Sequence, residues 1–290
     1  MAGAVNVLCV PFAPSLADSA ANRRAIITLA GTIAAQENAA DIIVLPELAL
    51  SGYLLESLTG EVAVTHTAIA ELARDLAATG IRSSTEWVIG LPLGEGASVY
   101  NAAAVIRGGE VVHVHRKMFL PTYGMFDEER YFTRGNSFAV YDGALGRTAL
   151  LICEDAWHPE LAYVTSAAGA ETVIVISASP ARGLDASNEF TSSKNWRQRL
   201  ATYAEAYAQK YIYCNRSGVE DGVLYDGTTF VYSAHGSPVA GEVSEVYRRA
   251  TRFAIIGSNA ERPGFAGDPT RQADTRLITP ATHWVNKGAS

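Results

Sequence analysis

The stretch RTALLICEDAWHPELAYV, residues 147–164, changes character within a few positions. RTALLIC is a short apolar run of strand composition, and Pro159 suits the first turn of a helix that starts beside it. Between them stand Cys153, Glu154 and Asp155. A strand that runs through a reactive group into a helix is the repeating unit of α/β sheets. Such sheets collect their sites just past the carboxyl ends of strands.

The same alternation extends in both directions. Strand-like runs with turn-type boundaries are VNVLCV (5–10), DIIVLP (41–46), WVIGLPL (87–93), AAAVIRGG (102–109), EVVHVH (110–115), ETVIVIS (171–177), YIYCN (211–215) and TTFVYS (228–233). Helical periodicity covers 18–38, with Asp18 or Ser19 as N-cap, then 66–78 through Ile69, Leu72, Ala73 and Leu76, and 189–209 through Leu200, Tyr203, Ala204 and Tyr207. DIIVLP and ETVIVIS are apolar throughout, which predicts strands buried on both faces, whereas EVVHVH alternates and predicts one wetter face. A mixed sheet, or two packed sheets covered by helices, accommodates both patterns. One domain is expected over residues 1–257. Residues 258–290, rich in Gly, Pro and Thr, read as an extended tail.

Composition narrows the function. The formal net charge is −7 and no basic run exceeds Arg-Arg, which argues against a nucleic-acid partner. No stretch approaches the roughly 20 apolar residues of a membrane helix. The first residues lack the charged and apolar regions of a secretory signal, so a cytoplasmic protein is expected. Three widely spaced cysteines without a CxxC pair predict neither a disulfide framework nor a zinc cluster. His113 and His115 share one face of a strand but lack further ligands nearby, so they read as polar strand residues, not a metal site.

Three strand ends carry chemistry. DIIVLPEL ends on Glu47, EVVHVHRK on Lys117 and RTALLIC on Cys153. Taken singly, the cysteine reads as packing, the glutamate as a loop charge and the lysine as a solvated residue. Taken together, they form a coherent set. A free thiol with a pKa near about 8.5 needs activation at neutral pH. A lysine ammonium favours the thiolate and can hold an oxyanion, while a carboxylate can take the thiol proton as general base. That set suits amide hydrolysis through a covalent acyl-enzyme.

These residues resemble the nitrilase superfamily of carbon–nitrogen hydrolases. The likeness lies in LPELALSGY (45–53), HRKMFLPTYGMFDEERYFTRG (115–135) and LICEDAWHPE (151–160), with Glu, Lys and Cys spaced by 70 and 36 residues. ISASP (176–180), CNRSG (214–218) and YDGTTFVYSAHGSPVA (225–240) extend it. The resemblance implies an α/β four-layer α-β-β-α sandwich that assembles as a homodimer or higher homo-oligomer. It implies Glu47 as general base, Lys117 as oxyanion holder and Cys153 as nucleophile. A further glutamate in the loop after the lysine aligns with Glu128 in preference to Glu129, with the job of positioning lysine and substrate. Tyr53, Tyr123, Trp157, Ser177 and Ser179 are the implied substrate-binding residues, and no cofactor or metal is called for. Past GEVSEV (241–246) the chain departs from many relatives, which puts the C-terminal dimer contacts in doubt.

The Cys-Glu-Asp form and the LPTYGMFDEERYF loop look most like the glutaminase domain of glutamine-dependent NAD synthetases, and the Cys-Trp-Glu form of nitrile-cleaving relatives is absent. The 290 residues hold no SGGxDS-type pyrophosphatase loop and no Walker-type loop. The expectation is therefore an amidohydrolase that releases ammonia from a small amide or carbamoyl compound through a thioester. The alternatives are a glutaminase subunit feeding a separate synthetase and, behind it, a nitrilase.

Overall fold

The computed structural model describes residues 4–36, 40–244, 247 and 249–256. The chain begins with β1 (Ala4–Cys9), α1 (Ser19–Ala34), β2 (Ile42–Val44), α2 (Thr59–Val62) and α3 (His66–Ala78). Three long strands follow, β3 (Glu86–Glu95), β4 (Ser98–Arg107) and β5 (Glu110–Arg116). Next come α4 (Glu128–Tyr131), β6 (Val140–Gly143), β7 (Gly146–Ile152), α5 (Pro159–Ala167), β8 (Thr172–Ser177), α6 (Thr191–Tyr207) and β9 (Lys210–Asn215). The hairpin β10 (Ser217–Glu220) and β11 (Val223–Asp226), then β12 (Thr229–Tyr232), β13 (Gly241–Val243) and β14 (Thr251–Ile256), complete the described elements.

Two mixed sheets result. One has the order β13-β14-β1-β2-β3-β4-β5 and the other β12-β9-β8-β7-β6. In each, the central strands run parallel: β1 with β2 and β2 with β3 in the first, β7 with β8 and β8 with β9 in the second. Strand alternation assigns the first sheet's faces. Val7, Cys9, Ile42, Val44 and Val88 point to the core shared with the second sheet. Their neighbours Leu8, Ile43, Trp87 and Ile89 point the other way, onto Ile26, Leu29 and Ile33 of α1 and Ile69, Leu72 and Leu76 of α3. Leu161 of α5 and Trp196, Leu200 and Tyr203 of α6 join the core of the second sheet. The layers are therefore helix, sheet, sheet, helix, the α/β arrangement that the resemblance implies.

Local signals explain most boundaries. Asp18 caps α1, accepting from Ala21 N at 2.9 Å, and Ala208, left-handed at φ 51°, ends α6. Beyond the sequence reading, the structure adds β6, the hairpin β10–β11 and the pair β13–β14. β14 runs antiparallel to β1 along its whole length and so supplies the neighbour that β1 needs on that side. The sequence reading of 258–290 as a tail lies outside the described residues. None of the described helices is long and apolar enough to cross a membrane.

The sheet also shapes the loop after β2. A Cβ on Gly90 of β3 would stand 2.7 Å from Glu47 Cα, so only glycine lets the Glu47 segment lie against the sheet. Gly90→Ala is expected to lower the urea-unfolding free energy by about 1–3 kcal/mol, the usual range for forced overpacking. An unchanged unfolding midpoint would contradict this close approach.

Candidate active site

Glu47 stands three residues past the end of β2, and Lys117 and Cys153 directly follow the last residues of β5 and β7. The first two come from one sheet and the third from the other, so the packing of the sheets brings them together. Lys117 is fully buried, and its Nζ lies 2.7 Å from Glu47 Oε1 and 2.6 Å from Glu128 Oε1. Asn101 of β4 donates to Glu47 Oε1 at 2.8 Å and to Glu128 Oε2 at 3.5 Å. Ala178 N donates to Glu47 Oε2 at 2.7 Å, and the Tyr53 hydroxyl donates to Glu128 Oε1. Glu129, by contrast, is exposed and pairs with Arg134.

One ammonium between two buried carboxylates leaves an excess negative charge, and burial disfavours it. Burial, opposed in part by Lys117 and reinforced by Glu47, pushes the Glu128 carboxyl up to about 7. Burial also works against the Lys117 charge, but Glu128 and Glu47 outweigh it and hold the ammonium well above the usual lysine value. The Cys153 thiol is pushed up by burial and by Glu47, with Lys117 and a hydrogen bond from Ser177 pulling the other way. Burial and Glu47 thus favour the protonated sulfur.

Cys153 sits in the left-handed region at φ 45°, at the start of a 3-10 turn, Cys153–Trp157. Such a conformation is costly for a residue with a Cβ and persists only where its surroundings enforce it. Asp155 does much of the enforcing. Its Oδ1 accepts from Met118 N and Phe119 N at 2.9 Å each, and its Oδ2 accepts from Ile152 N at 3.1 Å and lies 2.9 Å from His115 Nε2. A single carboxylate thus ties the loop after Lys117 to the loop of Cys153. The sequence analysis gives Asp155 no role in the site; its signal is a carboxylate two residues past a strand-end cysteine. His115 is its partner, while His113 stacks on Tyr141 and burial beside His115 lowers its pKa to about 4. No cluster able to hold a metal ion occurs among the described residues.

The thiol opens into a cavity of about 500 Å³. Tyr123, Trp157 and Ser179 line it, and so do Phe126, Glu154 and Arg182, which the sequence reading did not single out as binding residues. Tyr123 donates to Glu154 Oε2 at 2.7 Å. Ser177 stands behind the sulfur, donating to Sγ at 3.2 Å, and is fully buried. Tyr53 lines a second cavity of about 450 Å³ on the Glu128 side.

Two outcomes follow from this electrostatic arrangement. Because Glu128 titrates near 7 when folded and near 4.5 when free, folding takes up a proton between those values. Its contribution to stability is complete below about pH 4.5 and is lost as pH rises through about 7. The urea-unfolding free energy of the wild type relative to Glu128→Gln is expected to fall across that window; a flat or rising difference contradicts the assignment. Asp155→Asn places an amide donor among backbone donors and is expected to cost about 2–3 kcal/mol by the same measurement. A loss below about 0.5 kcal/mol, the scatter of ordinary surface changes, would show that the clamp is not holding the loops.

A model of the carbon-nitrogen hydrolase family matches residues 11–246. Glutamine-dependent NAD(+) synthetases are similar to this chain: that of Xylella fastidiosa is 36% identical over 220 residues, 73% of this chain and 38% of its own. That of Thermotoga maritima is 31% identical over 238 residues, 78% of this chain and 38% of its own. The chain thus spans about two fifths of the length of these relatives. The structure of the Acinetobacter baumannii glutamine-dependent NAD+ synthetase superposes with a TM-score of 0.72 at 25% identity, over 89% of this chain and 49% of that one. An amidase from Nesterenkonia sp. superposes with a TM-score of 0.74 at 22% identity, over 97% of both chains. With the fold and the match to most of its length in agreement, the chain belongs to the carbon-nitrogen hydrolase family.

Proposed function

We propose that the protein hydrolyses the amide or carbamoyl C–N bond of a small molecule through a thioester on Cys153, with release of ammonia. The observation that carries this reading is the buried Lys117 ammonium, held by Glu47 and Glu128, whose field reaches a thiol at the wall of an open cavity. With the sulfur protonated, attack requires a base. Glu47 takes the thiol proton as Sγ bonds to the carbonyl carbon, and the oxyanion forms beside Lys117. Collapse breaks the C–N bond, and the Glu47 carboxyl returns its proton to the departing ammonia. Glu47 then removes a proton from water as its oxygen attacks the thioester carbon; collapse breaks the C–S bond, and Glu47 returns that proton to the leaving sulfur, restoring thiol and carboxylate. Glu128 and Asn101 keep Lys117 and Glu47 in place throughout. Binding of a small amide is in keeping with the Nesterenkonia amidase, a mutant of which carries the acetamide moiety of fluoroacetamide on its active-site cysteine. Assembly as a homo-oligomer and a cytoplasmic setting, where three free cysteines stay reduced, belong to the same reading.

Within this chemistry, one observation favours glutamine, or an ω-amide of similar form, as substrate. Glu154 and Arg182 place a carboxylate and a guanidinium on the cavity wall. Charges of both signs suit the ammonium and carboxylate of an amino acid, and a simple aliphatic amide has no use for them. The similarity to glutamine-dependent NAD(+) synthetases supports the same choice and, with it, supply of ammonia to a synthetase.

Ammonia release is to be measured from glutamine, short aliphatic amides, N-carbamoyl amines and nitriles. Activity is expected on amide or carbamoyl compounds and not on nitriles, lost in Cys153→Ala, Lys117→Ala and Glu47→Ala, and kept in Glu129→Gln. Nitrile consumption, or an active Cys153→Ala, would overturn the reading. Arg182→Ala is expected to raise KM for glutamine roughly 10- to 100-fold, the worth of one charge-assisted hydrogen bond. Equal losses on glutamine and acetamide would remove the case for an amino-acid substrate.

A further inference from the structure

The hairpin β10–β11 is built inside out. Val219 and Leu224 face each other across it and are 67% and 44% exposed, while the adjoining Glu220 is turned inward and only 5% exposed. A buried carboxylate is an expensive way to seat a hairpin; an apolar side chain would do so at lower cost. The contacts of Glu220 show what it does instead. Its Oε1 accepts from Tyr53 N and Leu54 N at 2.8 Å each, and its Oε2 accepts from buried Arg216 at 2.7 Å. Arg216 in turn lies over the Tyr225 ring, 4.4 Å from its centroid. The approach is so close that a Cβ on Gly52, left-handed at φ 79°, would stand 2.7 Å from Glu220 Oε2. Tyr53 then donates its hydroxyl to Glu128 Oε1, the same oxygen that receives Lys117 at 2.6 Å.

We propose that Glu220 is a positioning residue for the reaction, holding the Tyr53–Leu54 backbone so that Tyr53 orients Glu128 and, through it, Lys117. An unbroken series of contacts thus runs from a surface hairpin to the buried ammonium. The proposal rests on the catalytic reading of Lys117 and Cys153 given above. It places a further carboxylate behind the site, 167 residues from the Tyr53 backbone that it holds.

The test compares kcat and KM as functions of pH for wild type, Glu220→Gln, Tyr53→Phe and the double variant, on the best amide of the panel. Folding of each is checked by circular dichroism. Glu220→Gln is expected to lower kcat roughly 10- to 100-fold, as small misplacements of catalytic groups do, with KM within about twofold. Loss of donation from Tyr53 moves the acidic limb of the kcat profile to higher pH. In the double variant, kcat is expected to match Tyr53→Phe alone, because Glu220 acts through that hydroxyl. Should Glu220→Gln fail to fold with Arg216 left unpaired, Glu220→Leu with Arg216→Met replaces the buried ion pair by an apolar one and is held to the same expectation. A folded variant with wild-type kcat, an effect confined to KM, or losses that multiply in the double variant would overturn the proposal. Cys153→Ala separates the two levels. If it stays active, the catalytic reading itself falls; if it is dead while Glu220 is indifferent, only the positioning role falls.

Discussion

A lysine with no access to water must have its charge answered by the protein, and the site is arranged around that requirement. Removing an ammonium from water costs several kcal/mol even after relaxation, and a pair of carboxylates within 2.7 Å offsets this only when their own oxygens are satisfied. Asn101, the Ala178 backbone and Tyr53 supply those hydrogen bonds. Asn101 and Tyr53 come from the side of the first sheet and Ala178 from the end of β8 in the second, so the cluster is complete only where the two sheets meet. The arrangement therefore links folding to chemistry: the state that makes Lys117 tolerable is also the state that sets it beside the thiol.

The same cluster bears on the protonation of the sulfur. Lys117 alone would draw the proton off, but its charge is already shared by two carboxylates, and burial favours the neutral form. The proposed reaction then needs a base at the moment of attack, a role that falls in it to Glu47, which is tied to Lys117 and to the Ala178 backbone. Asp155 fixes the other half of the geometry. By binding backbone N–H groups on both sides of the crevice, it sets the distance between lysine and cysteine without entering the crevice itself.

Much of this was legible in the sequence because strand ends are local features. Glu47, Lys117 and Cys153 announce themselves by following apolar runs, and the helices over 66–78 and from Pro159 carry their own period and cap signals. What was not legible depends on crossings between distant segments. Asp155 has ordinary neighbours, and only the meeting of the two sheets gives it His115, while Asn101 finds Glu47 past the end of another strand of its own sheet. The hairpin hid for a different reason. With Val219 outside and Glu220 inside, its pattern contradicts the rule by which strands are recognised. The strand β13 has no apolar face to signal a sheet edge, whereas β14 does alternate, with Phe253 and Ile255 turned into the core and Ala254 outward, beside two arginines that obscured it.

The central claim is that chemistry passes through a covalent bond to Cys153, and the most direct test is to catch that bond. Intact-protein mass spectrometry after rapid acid quench during turnover reports the enzyme's mass, and peptide mapping locates any addition. The account predicts a gain equal to the substrate acyl group without its nitrogen, carried on the peptide containing Cys153 and gone once substrate is exhausted. Steady ammonia release with no mass gain at any quench time, or an acyl group found on another residue, would contradict it.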